Sequence, residues 1–224
     1  MAVFRARVED DVSRHALHQD QPERALLATL RGGKAQVLVT GPSGVGKTTL
    51  SRFFAARGEI AFDGDVIDGL GRTYHIDGRP MLNAEGRPRN ANAYEWLHMQ
   101  FAWRWDVKVI KAMLSRHDRF FLFGSADNID ECVSLFGTAY YLKASPLVIS
   151  KRLQSDDRDN PTGKDAGQRK LIVGAVPYHD AHAERLGFTV VDASLPPIEI
   201  FDIIAAAQGS SNGKVSGPLT RIVR

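Results

Sequence analysis

The run Gly41-Pro42-Ser43-Gly44-Val45-Gly46-Lys47-Thr48 constrains the fold of this chain more than any other stretch. It fits G-x-x-x-x-G-K-[ST] at every fixed position, a pattern that needs a strand before it and a helix after it. Both flanks are legible. Residues 35–40 are a short apolar run of strand length, and 47–57 carries Leu50, Phe53 and Phe54 on one helical face, with Gly58 as its C-cap. Glycines let successive backbone N–H groups turn inward around an anion. The helix that opens at Lys47 aims its positive dipole end at the same point. Lys47 suits the β- and γ-phosphates, and the Thr48 hydroxyl suits the shell of a Mg²⁺ ion. The nucleotide cradle is therefore expected from Gly41, Pro42, Ser43, Gly44, Val45, Gly46, Lys47, Thr48 and Thr49.

After this loop, strand-like and helix-like segments alternate. Strands are expected at 59–62, 119–123, 139–143 and 188–191, and helices at 94–117, 128–136, 146–154, 171–186 and 197–207. Residues 71–92 hold several Gly, Pro and Asn and read as a loop or insertion; 156–167 reads as a polar loop. Strands alternating with helices imply parallel strands joined by right-handed crossovers. Near-continuous apolar strands imply helices on both faces. The expected fold is α/β: a three-layer α/β/α domain with a mostly parallel sheet of five strands, binding its ligands at the strands' C-terminal ends. The expected organisation is a helical extension over 1–33, a phosphate-loop domain over 34–207 and a flexible tail over 208–224.

Two stretches beyond the loop carry candidate chemistry. The second strand runs into Phe62-Asp63-Gly64-Asp65. A carboxylate there can order Mg²⁺ through its water shell or accept a proton from a substrate hydroxyl. Asp63 is assigned to the metal side and Asp65 to the substrate, with Asp68 a weaker substitute; Asp-Gly-Asp also suits a plain turn. Arg152, in Lys151-Arg152-Leu153, leads into Arg158-Asp159-Asn160-Pro161-Thr162-Gly163-Lys164. Arginines that close over a transferring phosphoryl group stabilise its charge and exclude water. A lid is expected over about 155–168, the alternative being a solvated basic loop.

Together these pieces resemble the small-molecule kinases of the adenylate-kinase-like group. Phe62-Asp63-Gly64-Asp65 looks most like the shikimate and gluconate kinase branch. The strand end Gly124-Ser125-Ala126-Asp127-Asn128 and the Arg158–Lys164 loop look like bacterial kinases grouped as AAA family ATPases. The resemblance spans roughly 35–205 and implies Mg²⁺-ATP-dependent transfer to a small acceptor, with Arg152 and Arg158 as lid arginines. It departs from motor ATPases, because no aspartate ends the strand 119–123. No guanine-recognition N-K-x-D occurs, which argues against a GTPase.

In such kinases the acceptor pocket is built between the second and third strands. Here about 66–105 supplies Arg72, Tyr74, His75, Arg79, Arg87, Arg89, Trp96, His98, Trp103 and Trp105. Trp96 and Trp103 are expected to share a helix face with at least one of them in the core, and His75 and His98 have no ligand spacing. Cys132, the sole cysteine, excludes an intrachain disulfide framework and reads as a small buried hydrophobe. A net charge of +3 on 224 residues is too weak to indicate nucleic acid. No apolar run approaches the ~20 residues of a spanning helix, and the first residues are charged where a signal peptide is apolar, so a cytoplasmic location is expected. Two other readings stay open: a regulatory ATPase whose output is a conformational or assembly change, and a polynucleotide-kinase-like activity. Oligomeric state and acceptor identity also stay open.

Overall fold

A computed structural model describes residues 35–92, 95, 101–155 and 162–209. The main sheet is built from β1 (Ala35–Thr40), β2 (Ala61–Asp63), β5 (Arg119–Phe123), β6 (Thr138–Lys143) and β7 (Thr189–Asp192). Their order is β2-β5-β1-β6-β7, and every neighbouring pair is parallel. The helices are α1 (Lys47–Ala56), α2 (Val107–Arg116), α3 (Ile129–Val133), α4 (Pro146–Gln154), α5 (Ala166–Arg185) and α6 (Pro197–Gly209). The fold is a three-layer α/β/α domain with the architecture of a P-loop NTPase.

Strand periodicity divides the core into two faces. Val37, Val39, Phe121 and Phe123 pack with Leu50, Phe54, Ile149 and Ile204 on one side. Leu38, Phe120 and Leu122 pack with Ile110, Met113 and Cys132 on the other. Phe54 fixes α1 against the sheet, its ring 5.0 Å from Phe121, 5.1 Å from Phe123 and 4.8 Å from Phe201, all edge-to-face. β1 lies at the centre, and the chain leaves it in one direction toward β2 and later fills the other side with β6 and β7. Such a switch in strand order leaves a crevice beyond the carboxyl ends of the strands.

The expected helix over 94–117 is corrected. Phe101–Trp105 is strand β4, and it pairs antiparallel with β3 (Gly71–His75) inside the segment expected to be a loop. Glu95 is helical, β4 follows, and a separate helix starts at Val107, where the Asp106 carboxylate accepts a hydrogen bond from Lys108 N. The run Phe-Ala-Trp-Arg-Trp has the aromatic content that a pleated surface favours, and the aspartate is an N-cap, so the start of the helix was legible at residue 106. Trp103 therefore lies on a strand and not on a helix shared with Trp96. Helix α5 starts before the expected residue 171 because Asp165 caps it, accepting from Gln168 N. The expected extension over 1–33, and the tail beyond Gly209, lie outside the described residues.

At the opposite end of the sheet from the crevice, Arg119 and Glu59 form a two-pronged ion pair, with both hydrogen bonds at 2.9 Å and the Glu59 side chain 5% exposed. It locks the approach to β2 against the start of β5. Removing one partner of such a pair strands a buried charge, at a cost of about 3–5 kcal/mol, whereas an apolar pair of similar volume is tolerated. Glu59→Ala is thus expected to lower the urea midpoint strongly, and Glu59→Leu/Arg119→Met to restore most of it. Equal loss in both proteins would refute this account.

Candidate functional site

The phosphate loop follows β1 and ends at Gly46, which has φ 112° and forms the N-cap of α1 without a side-chain cap. Only glycine adopts this conformation without strain. An α-helix leaves its first N–H groups without partners inside the helix, and here the N-cap residue, a glycine, supplies no side chain to them. Lys47 is 8% exposed and folds back across the loop, donating to Gly41 O at 2.8 Å and Pro42 O at 3.1 Å. Thr48 is half-buried and Thr49 exposed on the same first turn. The donor set, the uncapped helix and the central ammonium fit a polyphosphate.

Arg152 lies across the same loop. Its Nη1 donates to Val45 O at 2.7 Å and its Nη2 to Ala193 O at 2.9 Å. It therefore ties the phosphate loop to the turn after β7. Arg158 falls in 156–161, outside the described residues, as do Trp96 and His98.

Asp63 and Asp65 divide the work of their turn. Asp63 Oδ1 accepts from Asp65 N at 3.1 Å, so Asp63 does form the turn that the sequence allows. Asp65 lines a cavity beside the loop. Desolvation by surrounding protein pushes its carboxyl above the usual range; Lys47 opposes that shift and Asp63 adds to it.

Trp105 sets this turn relative to the end of β5. A Cβ on Gly64 would lie 2.7 Å from the indole, and one on Gly124 would lie 2.4 Å from it. Both glycines are thus needed for the ring to fit. Asn128 holds the tryptophan's backbone from the other side, with Oδ1 accepting from Trp105 N at 2.8 Å and Nδ2 donating to Trp105 O at 3.1 Å. One residue earlier, Asp127 Oδ2 accepts from Trp103 N at 2.6 Å, and Asp127 N donates to Trp103 O at 2.7 Å. The turn 124–128 thereby extends the hairpin with side-chain amide and carboxylate groups in place of a third strand. Asp127 reaches the cavity from this turn.

The cavity has a volume of about 560 Å³. Its floor is Thr40, Gly41, Pro42 and Ser43 of the loop; Asp65, Trp103 and residues 125–127 form one wall. Helix α5 forms the other wall with Gln168, Leu171, Ile172, Ala175, His179 and His182. These positions recur every three or four residues, so one face of α5 looks into the space. Burial holds His179 below its ordinary value, with Asp127 opposing. Burial likewise pushes Asp127 up, against its hydrogen bond from Trp103 and the charges of His179 and Arg104. Nothing in the sequence reading singled out α5; the signal was a His179–His182 pair, three residues apart, on an apolar stripe.

Of the segment expected to build the acceptor pocket, Trp103 lines the cavity. Arg79 pairs with Asp77, Arg87 with Glu85 and Arg89 with Glu95. Arg72 sits opposite Arg104 in the hairpin. Cys132 is buried and its thiol is pushed up to about 12 by burial. Among the described residues, no group of three or more His, Cys, Asp or Glu could hold a metal ion, and no helix is long and apolar enough to cross a membrane.

No family model matches the chain, and no curated protein matches it. Among solved structures it is similar to a gluconokinase from Sinorhizobium meliloti 1021, with 19% identity, a TM-score of 0.45, and coverage of 78% of this chain and 91% of that one. Function must therefore be read from the site's own residues.

A histidine held below its ordinary value takes up its proton first in the unfolded chain, so His179 removes stability as pH falls through about 6.5. Asp65 and Asp127, shifted up, act with the opposite sign and at lower pH. His179→Asn is expected to lose less melting temperature than the parent between about pH 7.5 and 5.5 by scanning calorimetry. Parallel losses would show that His179 is not the titrating group.

Proposed function

We propose that this chain is a phosphotransferase that moves the γ-phosphoryl group of ATP to a hydroxyl of a small molecule seated in the cavity beside the phosphate loop. The observation that carries this reading is that one cavity is walled both by the start of that loop and by Asp65. A donor phosphate on the loop and an acceptor in the cavity would meet at the boundary between them.

In this reading the acceptor oxygen attacks the γ-phosphorus. The new O–P bond forms as the bond to the β–γ bridging oxygen breaks, the hydroxyl proton passes to Asp65, and ADP leaves. The upward shift of Asp65 suits a base that must also release its proton. Lys47 and the first turn of α1 stabilise charge on the phosphates. Thr48 and Asp63 would hold Mg²⁺, which when bound neutralises charge on the β- and γ-oxygens. Arg152 fixes the loop through Val45 O. Arg158 is assigned to a lid over about 155–168, and 34–207 to the catalytic domain.

ADP release is expected to depend on an added acceptor. Lys47→Ala should abolish it, and Asp65→Asn should lower kcat by ~10²–10⁴-fold with little change in nucleotide affinity. A coupled ADP assay checks the first, and titration with a fluorescent ATP analogue the second. Acceptor-independent hydrolysis that survives Asp65→Asn, coupled to a change in assembly, would overturn this reading in favour of a regulatory ATPase.

A further inference from the structure

On the phosphotransferase reading, the chemistry of the acceptor follows from the groups that line the cavity. The ionisable side chains on the described cavity wall are Asp65, Asp127, His179 and His182, with the Tyr141 phenol; none is Lys or Arg. The Tyr141 hydroxyl is already engaged, donating to Asp180 Oδ1 at 2.8 Å.

The helical wall is of a different kind. Leu171, Ile172, Ala175, Ala183 and Leu186 face the space, and Leu171 is 59% exposed. Apolar side chains at helical spacing normally meet other apolar groups. Here they face a cavity that two carboxylates and Trp103 also line.

A carboxylate or phosphoester would place like charge beside Asp65 and Asp127, with no Lys or Arg on the described wall to pair it. A plain polyol would leave the α5 stripe against water. We propose that the acceptor is an amino alcohol: a hydroxyl for phosphorylation, a protonated amine that pairs with Asp127, and an apolar body that lies along α5. The transfer is balanced as above: the alcohol oxygen gains the γ-phosphoryl group of ATP, Asp65 takes the proton, and the amine stays protonated.

The test uses the full chain with Mg²⁺-ATP and three probe sets. Phenylalaninol and 2-deoxystreptamine represent amino alcohols, phenyllactate and gluconate hydroxy acids, and AMP a phosphoester. Coupled ADP release is expected to give the amino alcohols at least tenfold higher kcat/KM than any anion. Asp127→Asn, which keeps an acceptor for Trp103 N, should cut that preference at least tenfold while the Kd of a fluorescent ATP analogue stays within twofold. Leu171→Ala, at an exposed position, should raise KM for phenylalaninol several-fold and for ethanolamine hardly at all.

Preference for an anion overturns the proposal. So does tight nucleotide binding with no stimulation by either amino alcohol, and so does Asp127→Asn with unchanged selectivity. Failure of the parent protein to bind the ATP analogue is a different result: it overturns the phosphotransferase reading itself.

Discussion

The site's geometry depends on one ring. The Trp105 indole lies against Gly64 in the turn that carries Asp63 and Asp65, and against Gly124 at the start of the turn that carries Asp127. Neither glycine has room for a side chain there, so both turns are held at contact distance from the same rigid group. Asn128 completes the arrangement by pairing with both backbone groups of Trp105. The indole N–H is buried without a partner among the described residues. An unmet buried donor costs about 1–3 kcal/mol. That a fold carries such a cost agrees with the ring being retained for shape: its van der Waals contact with two turns outweighs the lost hydrogen bond.

The phosphate loop is fixed by bonds from cationic side chains to main-chain oxygens. Arg152 reaches from α4 to the phosphate loop and to the turn after β7, so three segments share one guanidinium. Charged donors to carbonyls are stronger than neutral ones, at about 1.5–3 kcal/mol each. Lys47 closes the loop on itself through Gly41 O and Pro42 O. A polyphosphate with better acceptors than these carbonyls would draw the ammonium away without disturbing Arg152, because the two cations use different oxygens. The loop can therefore exchange its internal partner for a ligand while its outer edge stays tied.

How much of this was legible beforehand follows from the range of the interactions. The phosphate loop, its strand and its helix are local: glycine conformation, an apolar run and a helical face all lie within about 20 consecutive residues, and each could be read directly. The sheet followed from alternation. The hairpin did not, because its outer partners, Gly71 and Trp105, lie 34 residues apart in sequence. Periodicity inside a single window also describes Phe101 to Trp105 ambiguously, as apolar positions on a strand or a helix. The cue against a continuous helix was Asp106. The α5 wall was missed for a similar reason. Its histidines carry no motif, and their meaning comes only from Asp127, more than 50 residues away in sequence, which shares the cavity. Arg152 illustrates the converse: the sequence suggests a lid arginine, whereas its guanidinium donates to backbone oxygens, partners that no residue type announces.

The two halves of the crevice carry opposite sign, and on the proposed reading this orders the reaction. The α1 terminus and Lys47 attract anionic oxygens, whereas Asp65 and Asp127 repel them. A polyphosphate is therefore stable on the loop and unstable one step further into the cavity. Its terminal phosphorus is confined to the boundary, which is where an acceptor hydroxyl beside Asp65 would be. A neutral residue at position 65 could orient that hydroxyl, but it would neither keep the nucleotide out of the acceptor space nor take the proton. The apolar face of α5 adds the remaining condition: once a ligand covers it, water loses its place next to the reacting phosphorus.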